Sequence, residues 1–423
     1  MDVFNSSRRG DRVLASDRRL ALGGGLPGRL ARGRAEAVVA RIDRGLAAGS
    51  LDATLPDGRR LLLGGRGPGP AATIVLHNWK PVIRLMLGGS AGFARAHFDG
   101  DWTSPDPTLI FELFVANRAT LGSAARAQGI TRLLNRLIRA WEERGKAAAR
   151  RNIAFHYDLG NDFYAAWLDP TMTYSSAVFA GPDVSLEAAQ VAKIRRLLDA
   201  VGVRPGDRLL EIGCGWGGLA EIAARDYGAT IHGITLSDAQ LQAARARIAA
   251  AGLSDRASFA LCDYRDLAAD GRYDHVVSVE MFEAIGERNW RGFMAVVAGV
   301  LRPGGRAGLQ VITIADDVFD AYRRSTDFIQ AYVFPGGMLP SPSRLRGAAG
   351  SAGLRVVDDH WFGLDYARTL KLWRDRFDAA VADGRLPPGF DDRFVQLWRY
   401  YLMYCEGGFR GRGLDVVQMV LAR

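Results

Sequence analysis

Cysteine is scarce in this chain: three in 423 residues, Cys214, Cys262 and Cys405. Their odd number, wide separation and lack of metal-ligand spacing argue against a disulfide framework and a thiolate metal centre. The expectation is free thiols in a reducing compartment and no metal. Long apolar runs are also missing. No segment reaches the roughly 18 apolar residues that a membrane-spanning helix needs. The N-terminal MDVFNSSRRGDRVLASDRRLALGGG is basic and has no apolar stretch of signal-peptide length. A soluble, cytoplasmic protein is therefore expected. The recognition-helix, zinc-finger and paired-aromatic motifs of nucleic-acid modules are absent as well, so nucleic acid is not an expected partner.

What is present is ordinary globular material, 48% hydrophobic and 24% charged, in a chain long enough for two domains. The formal net charge of +9 asks for an acidic partner. Residues 118–151 hold nine Arg or Lys against only Glu142 and Glu143. Within them, TRLLNRLIRAW sets Leu133, Leu134, Leu137, Ile138 and Trp141 along one helical face, with Arg132, Arg136 and Arg139 on the others. Such a helix suits an anionic lipid surface. A helix docked on its own domain, with a solvated basic back, accounts for the same pattern.

Residues 1–35, rich in Arg and Gly without periodicity, read as a mobile arm. AEAVVARIDRGLAAG reads as a helix, ATLPDGRRLLL as a hairpin about Asp57-Gly58, ATIVLHNWKPVIRLMLGG as two further strands and PTLIFELFVANRAT as a helix. Together they make a small α+β domain over 36–125, and a basic helical linker follows over 126–151. From residue 208 apolar strands and amphipathic helices alternate strictly, which predicts a doubly wound, Rossmann-like parallel sheet with its ligand crevice at the carboxyl ends of the strands. The stretch 316–345, containing FPGGMLPSPS, is too long for an ordinary connection and reads as an inserted lid.

At the first of those strand ends stands LLEIGCGWGG, residues 209–218. Gly213, Gly215 and Gly218 fit the dinucleotide fingerprint. A dinucleotide site, however, expects an acid at the end of the second strand to hold the ribose, and here that strand ends in Gly233-Ile234-Thr235-Leu236-Ser237. Glu211, Gly213, Gly215 and Gly217 give instead E-x-G-x-G-x-G, the pattern expected of S-adenosylmethionine-dependent methyltransferases. The glycines would let the backbone lie against the ligand where any side chain would clash. Ser237 and Gln240 also form the sequence of a capping box, which needs no ligand.

Around the glycine turn stand NIAFHYDLGNDFYAAWLDPTMTYSSAVF (152–179), SVEMFEAIG (278–286), DFIQAYVFPGGMLPS (327–341) and YYLMYCEGGFR (400–410). Together these resemble the cyclopropane-fatty-acyl-phospholipid synthase family, relatives of the mycolic acid cyclopropane synthases. AGFARAHFDGDW resembles the auxiliary domain of the phospholipid-acting members. The resemblance implies a class I methyltransferase domain over 152–423, preceded by a lipid-handling domain over 36–125. It places S-adenosylmethionine against Tyr174, Ser175, Gly213, Gly215, Thr235, Leu236 and Gln240, with Asp263 and Tyr264 near the adenine.

It further implies a bound bicarbonate acting as base, at positions matching Ser176, Glu283, Gln310, Ile312 and Tyr366. Here Ser stands for the family's Cys and Gln for its His. Glu283 also fits an acid at a helix N-terminus, and Tyr366, His156 and Tyr157 fit packing roles. The implied activity is transfer of a methylene to the cis double bond of unsaturated phospholipid acyl chains, giving cyclopropane. C-methylation to a methyl-branched chain and N- or O-methylation of a small molecule are the alternatives. The implied setting is a homodimer attached peripherally to the inner face of an anionic membrane.

Overall fold

The computed structural model describes residues 28–122 and 159–423. The basic segment containing Arg132, Arg136 and Arg139, the pair His156 and Tyr157, and residues 1–27 of the expected arm lie outside the described residues. The boundary expected at residue 35 is corrected, because helix α1 spans Gly28–Gly45. Its apolar stripe starts at Ala35 and continues through Val39 and Ile42, all buried, while the preceding Arg and Ala are good helix formers that extend it upstream.

Strands β1 (Ser50–Thr54) and β2 (Arg60–Gly64) pair antiparallel about the Asp57-Gly58 turn, where Gly58 has φ 83°. β3 (Ala71–Leu76) lies parallel to β1, and the short β4 (Trp102–Thr103) closes the order β2-β1-β3-β4. The second strand expected in ATIVLHNWKPVIRLMLGG is instead a helix, α2 (Lys80–Phe98). Pro81 occupies its first turn, where a missing N–H costs nothing, and Val82, Leu85 and Gly89 are buried at helical rather than alternating spacing. Helix α3 (Pro107–Ala116) begins at Asp106, whose side chain accepts from the Thr108 amide.

The second sheet is built on α4 (Leu186–Val201), β5 (Arg208–Ile212), α5 (Gly218–Tyr227), β6 (Thr230–Thr235), α6 (Asp238–Ala250), β7 (Ala257–Leu261), β8 (Tyr273–Val279), α7 (Trp290–Val300) and β9 (Leu301–Ile314). Then come α8 (Pro342–Ser351), β10 (Arg355–Trp361), α9 (Gly363–Ala382), α10 (Asp392–Arg410) and β11 (Leu414–Ala422). The seven strands are ordered β10-β11-β9-β8-β5-β6-β7. β5 to β9 are parallel, as the alternation predicts, whereas β11 runs antiparallel to β9 and β10 antiparallel to β11. The sheet is therefore mixed. β5 lies between β6 and β8, so the chain reverses its direction of travel across the sheet there and opens a crevice at the strand ends.

The packing divides the chain differently from the consecutive domains expected. One compact unit joins the N-terminal residues to Asp320–Pro335 and Trp373–Gly413; the other holds the seven-stranded sheet. Glycine explains part of the first grouping. A Cβ at Gly407 would lie 2.5 Å from Cβ of Phe111 and 2.7 Å from the Thr108 carbonyl, so α10 approaches α3 only because a hydrogen stands there. The neighbouring Glu406 is fully buried between Arg374 and Arg410, with contacts of 2.9 and 2.5 Å. These roles account for the Glu and the first Gly of the EGG in YYLMYCEGGFR. Within the stretch 316–345, Phe328 donates its amide to Ser90 and packs on Phe98 and Tyr400, which ties its middle to the first unit.

None of the three cysteines forms a disulfide. Among the described residues no helix is long and apolar enough to cross a membrane, and no cluster of His, Cys, Asp or Glu is placed to hold a metal ion.

Candidate active site

The loop after β5 folds back on the end of β6: the amides of Gly213 and Cys214 both donate to the Ile234 carbonyl, at 2.9 and 3.0 Å. Gly213, Gly215 and Gly217 have φ of 88°, 52° and 83°, conformations that a Cβ would strain. Their surroundings differ. A Cβ at Gly217 would meet the Ala244 backbone at 3.1 Å and one at Gly218 the Thr171 carbonyl at 2.6 Å, so these two serve packing. A Cβ at Gly215 would meet nothing within 4 Å. Bare backbone there faces open space.

That space is a crevice whose lining includes Tyr174, Ser175, Glu211, Gly213, Gly215 and Thr235. Leu236, Gln240 and Tyr264 of the expected set line it as well. Gly217 and Asp263 do not line it. Gly217 caps α5, and the buried Asp263 is held by Arg265 at 2.5 Å while capping the turn that presents Tyr264. The capping box at Ser237 is half made. Ser237 accepts from the Gln240 amide, but the Gln240 side chain accepts from Thr235 Oγ1 at 2.9 Å, and Thr235 takes the Ser237 amide. Glu211 is buried with Oε2 lacking a partner, a polar atom that a ligand donor in the crevice would satisfy. With the space beside Gly215, this fits S-adenosylmethionine.

Two residues that the sequence reading passed over also line the crevice. Lys193, on α4, is fully buried, and its ammonium donates to Ser175 Oγ at 2.6 Å. Glu280, at the end of β8, has φ 50°, unusual for a residue with a side chain. Its one legible signal is its place in SVEMFEAIG, an acid at a strand end as Glu211 is. Lys193 gives no signal beyond a cation on a mostly apolar helix face.

The expected anion ligands come together, though not around a free site. The Ser176 amide donates to Glu280 Oε1 at 2.9 Å, Gln310 Nε2 to the same oxygen at 2.8 Å and Tyr366 OH to Glu280 Oε2 at 2.8 Å. Ser176 contributes backbone rather than hydroxyl, since its Oγ donates to the Ala177 carbonyl. Gln310 is oriented from behind by Gln418, which donates to its Oε1 at 3.1 Å. The remaining two pair separately: Ile312 donates its amide to Glu283 Oε1, and Glu283 Oε2 is buried without a partner. The residues expected to hold bicarbonate thus do not fit it, because a carboxylate of the chain already fills the cradle.

Burial makes this floor electrostatically tense. It pushes the Glu211 carboxyl well above its usual range, and raises Glu280 against the opposing pull of Gln310, Lys193, Ser176 and Tyr366. Burial, helped by the Glu280 charge, pushes Glu283 up to about 8. Burial also draws Lys193 down to about 8, although Glu280, Asp169 and Glu211 favour its charge. Of these acids Glu280 has hydrogen-bond donors on both oxygens, an arrangement that favours its charged form and suits a site that must receive positive charge.

Residues 144–419 match the family described as mycolic acid cyclopropane synthetase. The chain is 44% identical over 349 residues to "Tuberculostearic acid methyltransferase UfaA1" of Mycobacterium tuberculosis, covering 80% of each protein. It is 36% identical over 341 residues to "Cyclopropane-fatty-acyl-phospholipid synthase" of Escherichia coli, covering 80% of this chain and 85% of that one. Among solved structures it resembles mycolic acid cyclopropane synthase CmaA1 complexed with SAH and CTAB, at 30% identity and a TM-score of 0.61, over 65% of this chain and 98% of that one. With a methyltransferase sheet, a glycine crevice suited to an adenosylated sulfonium and matches of this extent, the chain belongs to the mycolic acid cyclopropane synthetase family of S-adenosylmethionine-dependent methyltransferases.

Proposed function

We propose that the protein C-methylates the cis double bond of unsaturated phospholipid acyl chains and leaves a methyl-branched, unsaturated chain. The observation that carries the chemistry is a pair of acids just after β8, the half-buried Glu280, which lines the glycine crevice, and the buried Glu283 close behind it in sequence. S-adenosylmethionine supplies an electrophilic methyl group when bound. An alkene is a poor nucleophile, so its attack needs a dry site, compensation for the cation left on the acyl chain, and a base to remove a proton. Glu280, with donors on both of its oxygens, places negative charge where that cation develops, and the Gly215 backbone leaves room for the methyl donor.

The branched product is favoured by the higher identity to a protein named as a tuberculostearic acid methyltransferase, 44%, than to the Escherichia coli synthase, 36%, with 80% of this chain covered in each match. The likeness to that synthase favours a second reading, cyclopropane formation, as the sequence motifs imply. Deuterium-labelled methyl donor separates the two. A branch formed by loss of a chain proton keeps three deuterons, and that is the expected main product; cyclopropane keeps two. Mainly two-deuteron cyclopropane would establish the second reading, and no modified lipid at all would reject both.

The same reading places a homodimer on the inner, anionic face of the membrane, with the basic residues of 118–151 as its contact. Sedimentation with anionic vesicles should weaken as salt is raised, since screening limits surface charge to about 10 Å at 0.1 M. Equal binding to neutral and anionic vesicles at low salt would point to the docked-helix alternative. Analytical ultracentrifugation reads the dimer.

A further inference from the structure

We propose that the Glu280 carboxylate is itself the base of the reaction, held in the cradle in which a bicarbonate was expected, so that no free anion takes part. This rests on the alkene-methylation reading above. Five observations support it. Three donors from distant parts of the chain, the Ser176 amide, Gln310 Nε2 and Tyr366 OH, converge on its two oxygens at 2.8–2.9 Å. Gln310 and Ser176 are fully buried, and Gln310 is aimed by Gln418. The Glu280 amide donates to the Gln310 carbonyl at 2.8 Å, fixing the backbone that carries the carboxylate. The side chain still lines the crevice. Finally, its backbone stands at φ 50°, a strain that a residue kept only for packing would shed by becoming glycine.

In the step itself the alkene π pair forms a bond to the methyl carbon while the sulfur keeps the electron pair of the breaking C–S bond. This leaves a neutral thioether and a cation on the adjacent chain carbon. A Glu280 oxygen then takes a proton from a carbon beside that cation, and the C–H pair closes the new π bond. Glu280 ends neutral and returns its proton to water once product has left. Gln310, Ser176 and Tyr366 position the carboxylate.

Turnover and anion binding test this separately. In bicarbonate-free buffer, adding millimolar bicarbonate should leave wild-type turnover unchanged. Glu280→Gln, nearly isosteric, should lose about 100-fold or more in kcat, the scale of a general base, with S-adenosylmethionine affinity within roughly threefold. Glu280→Gly, unstrained at this φ, should empty the cradle and regain turnover saturably with added bicarbonate or formate. A wild-type requirement for bicarbonate, a Glu280→Gln variant within about tenfold of wild type, or a folded Glu280→Gly that no small anion rescues would overturn the proposal. The second arm needs no lipid: NMR of isotope-labelled bicarbonate should detect binding to Glu280→Gly and none to wild type. Binding by wild type, or by neither protein, would overturn the cradle assignment. Failure of wild type to modify any unsaturated phospholipid would reject the functional reading alone.

Discussion

The two halves of the catalytic crevice are built by different means. The glycine half is made of backbone: Gly213 and Cys214 bond to Ile234 across neighbouring parallel strands, and Gly215 leaves space because it has no side chain. The acid half is made of side chains whose partners lie 30, 86 and 104 residues away from Glu280. A motif a few residues long can specify the first, because it needs only local φ and the alternation of strand and helix. The second exists only once β8, β9 and α9 have come together, and so it was rearranged by one acid that the motif reading treated as background.

Three perturbations sharpen that contrast. The largest effect is expected at the backbone half. Gly215→Val fills the open space and strains a φ of 52°, and should weaken S-adenosylmethionine binding by about 100-fold or more while thermal unfolding stays cooperative. Calorimetric titration measures it, and unchanged affinity in a folded variant would remove the glycine turn from the ligand site.

A smaller effect is expected from Glu283. Burial and the nearby Glu280 raise its pKa from 4.5 to about 8, so between those values the folded protein holds a proton that the unfolded chain releases. The associated stabilisation is complete below the unfolded pKa and is lost as pH rises through the folded one. Stability should therefore decline across this window with a slope approaching about 1.4 kcal/mol per pH unit from this group, and Glu283→Gln, neutral throughout, should flatten the decline. Urea denaturation at a series of pH values reads the slope; identical slopes in the two proteins would mean that Glu283 titrates normally.

The smallest effect belongs to Tyr366→Phe. It deletes one of three donors to Glu280 and, with the other two left in place, should lower kcat roughly 5- to 10-fold, the worth of one ordinary hydrogen bond, leaving S-adenosylmethionine affinity intact. A matching loss of affinity would show that the two halves are not separable.

The sequence alone determined the alternation that builds β5 to β9 and the turn at Asp57-Gly58, features that depend on periodicity and on where glycine permits the backbone to go. Of the eleven residues expected against the methyl donor, most of them from the family resemblance, nine line the crevice. The sequence misjudged Lys80–Phe98, where a short apolar run carries strand and helix signals alike until Val82, Leu85 and Gly89 are seen buried on one face. It identified Ser176, Glu283, Gln310, Ile312 and Tyr366 as one neighbourhood without what they enclose. Only the tertiary structure decided that Glu280 fills the cradle, because carboxylate and bicarbonate present the same oxygens to the same donors. Which of them is there depends on the direction of a single side chain leaving β8 at φ 50°.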